Sequence, residues 1–240
     1  MRVIVFSSLK GGVGKTTAAL FTAEALANAG KRVIAIDADA NNNLTDALAR
    51  DENATMIEEH SLYRALTGRR ALPECVIPTM FNIRLVPGTP SLAQAGLELA
   101  PDPGVLLRFP MELKALDADV IVIDTPPALT IELTLALYAA DTVIVPVGLS
   151  RWTVAAYQVI ADRVRIMEKT TGRPVRLLAL PDIVTEKETE TLHKIPGWTM
   201  TRSVIFRSAA IRNATNTGKA LKDTGKAWTW YVDLAREVME

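Results

Sequence analysis

Cysteine is nearly absent from the 240 residues: Cys75 stands alone. One thiol excludes an intrachain disulfide framework and a four-thiolate metal site within one chain. Cys75 reads as a small buried hydrophobe. Histidine is almost as scarce. His60 and His193 lie far apart and lack metal-ligand spacing, so they read as surface or helix-end residues. Net charge is missing too, since 27 Lys+Arg meet 27 Asp+Glu. The chain is no overall polycation, and nucleic-acid contact would need a local patch. No apolar run approaches the roughly 20 residues of a membrane span. Met1-Arg2 leads straight into a short strand-like run, too short and wrongly flanked for a signal peptide. The expectation is a cytoplasmic protein. Apolar side chains are plentiful at 49% of residues. That suffices for a sizeable core and excludes disorder as the main state.

Short apolar runs alternate with helical periodicity. Val3–Phe6, Arg32–Asp37, Val120–Asp124, Thr142–Val147 and Val175–Leu180 read as strands buried on both faces. Thr16 to Ala29 reads as an alanine-rich helix closed by Gly30. Ser150 is an expected N-cap. After it Trp152, Ala155, Ala156, Val159, Ile160, Ile166 and Met167 fall at helical spacing. Trp228, Tyr231, Val232, Ala235, Val238 and Met239 do so in the tail, with Trp228, Tyr231 and Val238 expected in the core. Residues 51–118 are less regular. There Ser61–Leu66 reads as helical and Ile83–Val86 as a strand, and Pro101, Pro103 and Pro110 interrupt what remains. Strands alternating with helices predict an α/β fold, a mostly parallel twisted sheet with helices on both faces. No repeat or long linker divides the chain, so residues 1–240 are expected to form one domain.

The chemistry concentrates between the first strand and the first helix, at Leu9-Lys10-Gly11-Gly12-Val13-Gly14-Lys15-Thr16-Thr17. Glycines allow a tight turn whose successive N–H groups point at phosphate oxygens. The helix N-terminus adds positive potential. Lys15 supplies a charge for β- and γ-phosphates, and Thr16 a hydroxyl for Mg²⁺. Val120-Ile121-Val122-Ile123-Asp124 resembles a Walker B strand, whose terminal carboxylate meets Mg²⁺ or a metal-bound water. A carboxylate-rich stretch, Asp37-Ala38-Asp39-Ala40-Asn41-Asn42-Asn43-Leu44-Thr45, closes the second strand.

The loop departs from the usual G-x-x-x-x-G-K-[ST] form, with Leu9 at the first glycine position and a second lysine, Lys10, after it. This string resembles the deviant Walker A loop of the ParA/MinD family of ATPases, a P-loop NTPase architecture. The stretch from Asp37 to Thr45 resembles that family's D-x-D-P-Q-x-N-L-T, with Ala40 for proline and Asn41 for glutamine. Val204-Ile205-Phe206-Arg207 through Asn213-Ala214 to Gly218-Lys219 is similar to the ParA pattern I-P-R-x-x-x-x-x-E-A-x-x-x-G-K. Phe206 replaces its proline and Asn213 its glutamate.

The resemblance implies ATP and Mg²⁺ as cofactors. Gly11, Gly12, Val13, Gly14, Lys15, Thr16 and Thr17 would cradle the nucleotide. Lys10 would reach across an ATP-bound homodimer to the partner's nucleotide, offsetting charge as an arginine finger does. Asp39 would orient or activate the attacking water. Asp37 would lie near the metal through water, or cap the following helix. Pro181 and Asp182 follow a strand end, where adenine contact and a plain turn are both open readings.

Charge is unevenly placed despite its zero sum. Residues 194–240 carry eight basic and four acidic side chains. In a dimer, the stretch 202–226 would double into a patch for nonspecific double-stranded DNA, with Arg207, Arg212, Lys219 and Lys222 as contributors. A single cysteine away from the loops argues against a nitrogenase-type reductase. The tail lacks the basic face of a MinD-like membrane helix, so stable membrane association is not expected. What remains resembles the short ParA class, without an N-terminal helix-turn-helix domain. The implied activity is slow ATP hydrolysis stimulated by a ParB-like centromere-binding or cargo-adaptor partner, on the nucleoid. A MinD-like membrane-cycling ATPase and an ATP-dependent metabolic synthetase are the alternatives, the second needing a substrate pocket that 51–118 could host.

Overall fold

The computed structural model describes residues 1–79, 81–217, 221 and 225–240. Its centre is a strand, β1 (Arg2–Phe6), flanked by β5 (Val120–Asp124) and β6 (Thr142–Val147). Outward on one side lie β2 (Val33–Asp37), β4 (Ile83–Val86) and β3 (Ile77–Pro78). On the other lie β7 (Arg176–Val184) and β8 (Ile205–Phe206). The order is β3-β4-β2-β5-β1-β6-β7-β8. Among the described residues the short β3 alone runs antiparallel, against β4 at the sheet edge.

Alternation along each strand feeds two helical layers. Val5, Ile36 and Ile123 point to one face, and Phe6, Ala35 and Val122 to the other. The second face packs on α1 (Lys15–Asn28), α2 (Asn43–Leu48) and α11 (Lys226–Met239). Alanines at 18, 19, 23 and 25 let α1 approach its neighbours closely. Phe21 meets Tyr231 at 5.2 Å between ring centroids. Trp228, Tyr231 and Val238 are buried, as the tail's spacing predicts. The first face packs on α4 (Leu62–Leu66), α5 (Ala95–Leu99), α6 (Val105–Lys114), α7 (Ile131–Ala139) and α8 (Arg151–Thr171).

Four expectations are corrected. The inward stripe of α8 is Thr153, Tyr157, Ile160, Val164 and Met167, while Trp152 and Ile166 are exposed. Tyr157 stacked on Trp198, 4.4 Å apart, fixes that rotation. Ser150 occupies the N-cap position but caps no N–H; its hydroxyl pairs with Thr153 Oγ1 at 2.8 Å. Strand β7 continues past Leu180, so Pro181 and Asp182 lie within it rather than in a turn. Its register against β6 extends to Pro181–Val147, and Asp182 pairs with Ile205 of β8. Pro110 also sits inside α6 without ending it, giving up a single helix bond. Cys75 is buried; His60 and His193 sit at helix C-caps.

Candidate nucleotide site

Strands β1, β2 and β5 end at one edge, and their terminal residues build the site. Eight residues after β1 the loop closes onto α1 through Gly14, the N-cap, in a left-handed conformation (φ 88°). Gly12 is left-handed as well (φ 72°). Gly14 is required twice over. A Cβ there would stand 2.2 Å from Asp182 Oδ2.

Asp124 is the anchor beneath the loop. Its Oδ1 accepts from Lys15 Nζ at 3.0 Å and its Oδ2 from Thr16 Oγ1 at 2.6 Å. Lys15 and Asp124 form a buried ion pair. Burial pushes the Asp124 acid up, and the Lys15 charge pulls it back. Asp37 stands beside it, strand partner to strand partner. The Asp37 Oδ2 accepts from Thr45 N and Thr45 Oγ1, each at 2.8 Å, and its Oδ1 from Asp39 N at 3.1 Å. Burial raises its acid too, and the Asp124 charge adds to that. Asp39 presents Oδ1 to Asn41 N at 3.0 Å and Asn41 Nδ2 at 3.1 Å. The Asn41 that replaces glutamine therefore holds the Asp39 carboxylate.

These groups border a cleft of about 530 Å³ lined by Lys10, Gly11, Gly12, Gly14, Lys15, Thr16, Thr17 and Asp39. Val13 is buried and does not line it; Asp37 and Asp124 are fully buried and reach it through their partners. Lys10 Nζ donates to Ser150 Oγ at 3.2 Å. Gly14, Thr17 and Thr215 also border an adjoining pocket of about 510 Å³ with Asp182, Ile205, Phe206 and Ile211. Asp182 Oδ2 is buried there with no hydrogen-bond partner among the described residues, and burial lifts its acid to about 8. Pro181 lines neither hollow. Arg207 and Arg212 stand on the rim of the second pocket, with Arg207 Nη2 3.8 Å from Glu188. Gly218, Lys219 and Lys222 lie outside the described residues.

Sequence reasoning gave no role to Gly88 or Thr45. Gly88 N donates to Thr45 Oγ1 at 2.9 Å. A Cβ at Gly88 would come within 2.7 Å of Asp37 O and 2.9 Å of Asp39 O. The available signal was a proline-glycine pair directly after a predicted strand.

The donor set suits a hard cation with phosphate: a hydroxyl and carboxylates, with no thiolate or imidazole. Among the described residues no cluster of three His, Cys, Asp or Glu could hold a metal alone. Burial pushes the Cys75 thiol up to about 11, which keeps it neutral. A glycine loop ending in a helix N-terminus, over a strand-end aspartate in a parallel sheet, defines a P-loop nucleoside triphosphatase fold.

A family described as an AAA domain matches residues 1–176. The chain is 32% identical over 253 residues to the chromosome-partitioning ATPase Soj of Thermus thermophilus, covering 100% of this chain and 96% of that one. It is 28% identical to the sporulation initiation inhibitor protein Soj of Bacillus subtilis, over 99% and 98% of the two chains. Apo McdA of Cyanothece superposes with a TM-score of 0.86 at 24% identity, covering 100% of both chains. Cobyrinic acid a,c-diamide synthase of Mycobacterium smegmatis gives 0.84 at 22% identity, over 100% and 94%. The chain belongs to the ParA/MinD family of partition ATPases.

Proposed function

We propose that the chain is a ParA-type positioning switch: it binds Mg·ATP, dimerises around it, holds nonspecific double-stranded DNA and lets go on hydrolysis. A solved neighbour of this fold, cobyrinic acid a,c-diamide synthase, carries an ATP analogue with magnesium. Magnesium, when bound, draws charge from the transferring phosphoryl group. This chain's residues would do the rest. Thr16 and Asp124 would hold the metal, with Asp37 behind them. Lys15 would leave Asp124 for the phosphates, and Asp39 would orient the attacking water. Gly11, Gly12, Gly14 and Thr17 would cradle the phosphates, with the Val13 backbone. Asp182 would face the base, since its pocket adjoins the cleft.

The observation that carries the reading is Lys10. It is a second lysine at the cleft, half-buried, and its Nζ rests on a serine hydroxyl rather than a carboxylate. A hydroxyl contact is weak enough to exchange for a partner's γ-phosphate. Each site would then be completed by the other copy, which couples ATP to dimerisation. Arg207 and Arg212, with Lys219 and Lys222, are the proposed DNA contacts, on a nucleoid-bound cytoplasmic protein. A ParB-like or cargo-adaptor partner would stimulate turnover. The tail offers a membrane no free apolar face, because its apolar residues pack on α1. No helix among the described residues is long and apolar enough to cross a membrane.

The test is binding to a random-sequence duplex with ATP, ADP or no nucleotide, at two salt concentrations. ATP-specific, salt-sensitive binding is expected. A dimer forming with ATP but never touching DNA would overturn the DNA-carrier reading.

A further inference from the structure

Strand β7 breaks its own alternation at one residue. Leu180 packs in the core on the α1 side of the sheet, and Val184 in the core on the other side. Plain pleating would put residues 180, 182 and 184 on the same face. The register against β8 shows the cause. Asp182 pairs with Ile205 and Val184 with Phe206, so two steps of β7 meet one step of β8. Ile183 is the extra residue of a β-bulge, a device that re-aims side chains. Its φ is 58°. Among the described residues every other positive φ belongs to glycine or asparagine. Those types tolerate the left-handed region, whereas a branched Cβ crowds the backbone there. The angle persists because pairing to β8 on both sides, and Arg207 N donating to Val184 O at 3.1 Å, over-determine it.

Strain is joined by exposure. Ile183 is 43% exposed, between Asp182 at 3% and Val184 at 1%. A branched hydrocarbon is thus held in the open at an angle that disfavours it. Its surroundings supply a reason. Ile183 lines the pocket of about 510 Å³ that adjoins the phosphate cleft, and so does Asp182. Regular alternation would turn one of the two away. Phe206 and Ile211, the second on α10 (Ala209–Thr217), add apolar wall. Gly14 and Thr17 join this pocket to the cleft. Hydrocarbon walls with few polar groups suit a flat occupant, apolar on its faces and polar at its edge. The base of a nucleotide whose phosphates lie in the cleft has that chemistry. A fused purine covers more hydrocarbon than a single pyrimidine ring.

We propose that Ile183 is a base-contacting residue, held toward the nucleotide by a strained bulge, and that it sets a preference for purine over pyrimidine nucleotides. The proposal rests on the ATPase reading and names the side chain that reads the ring.

The test is calorimetric binding of the full chain to ATP, CTP and inorganic tripolyphosphate, each with magnesium, beside denaturant unfolding without nucleotide. Ile183→Gly should bind ATP about tenfold more weakly, CTP at most about threefold more weakly, and tripolyphosphate as the wild type does. Ile183→Ala also loses the hydrocarbon and should match it in all three. The two variants part in stability. Glycine adopts the angle freely and alanine does not, so Ile183→Gly should unfold at higher denaturant than Ile183→Ala, the reverse of the order at ordinary angles. The ordinary order would overturn the strain on which the proposal stands. Unchanged ATP affinity in both variants would make the bulge a matter of folding alone and overturn the contact. Equal losses for ATP and tripolyphosphate would trace the effect to the phosphate loop, and an unchanged ATP-to-CTP ratio would remove the preference; each overturns the proposal. A wild type that binds none of the three overturns the ATPase reading as well, which separates that failure from the others.

Discussion

The two ends of the nucleotide site are built on opposite terms. At the phosphate end every acid is held. Asp124 accepts from Lys15 and Thr16, Asp37 from Thr45 and Asp39, and Asp39 from Asn41. At the end we propose for the base, Asp182 is just as deeply buried, yet among the described residues Oδ2 has no partner. The first arrangement is preorganised, its geometry fixed before any ligand arrives. The second leaves a polar group whose desolvation is repaid only by what enters the pocket. Gly14 joins them, serving the loop on one side and touching Asp182 on the other.

The sharpest break in this contrast is Lys15→Ala. It strips the cleft of its buried cation and leaves Asp124 in the dark, so stability should fall by about 3 kcal/mol. Nucleotide binding should be lost with it. Normal affinity by calorimetry would remove Lys15 from the phosphate end. Next comes Asp39→Ala, which leaves binding intact and should lower turnover about a hundredfold. An unchanged steady-state rate would take Asp39 out of the reaction.

Gly14→Ala should damage both ends at once. Its φ of 88° and the approach to Asp182 Oδ2 make a Cβ strained. We expect a loss of about 1–3 kcal/mol in denaturant unfolding. A neutral result would mean that the loop shifts freely and the ends are not coupled.

The nucleoside end alone is probed by Asp182→Asn and pH. The Asp182 acid titrates near 8 in the fold, against 3.8 unperturbed. Between those values the folded chain keeps a proton that the unfolded chain releases, so unfolding free energy falls as pH rises. The midpoint of the wild type should therefore drop from pH 5 to pH 8 relative to Asp182→Asn. Parallel pH curves for the two proteins would show that something already satisfies the carboxyl group. The smallest effect belongs to the rim. Arg207→Ala should leave stability unchanged, since its pairing with Glu188 is long and exposed. It should lower the salt slope of DNA binding by about one. An unaltered slope would assign Arg207 to the pocket alone.

The same contrast explains what could be read in advance. The phosphate end was legible because its residues are consecutive: a loop, a strand end and a strand-end stretch, each with its own local signature. Asp37, Asp124 and Lys15 are found by reading along the chain. The nucleoside end is assembled from β7, β8 and α10 (Ala209–Thr217), whose meeting no local pattern announces. Asp182 was noticed, but strand β7 reads as finished at Leu180 because a proline follows. The face of α8 was misread for a related reason. Tryptophan and isoleucine look like core residues, yet the helix turns on Tyr157 and its distant contact Trp198. Thr45 of α2 braces Asp37 and is itself held by Gly88, a relation that exists only after folding.

The contact between Phe21 and Tyr231 carries a consequence for how the protein comes into being. The helix that opens at the phosphate loop finishes its packing against a helix about two hundred residues downstream, which makes that contact slow to form by chain topology. During synthesis the side of α1 that faces α11 stays uncovered until α11 has been made. Competence to hold a nucleotide should then arrive late and abruptly.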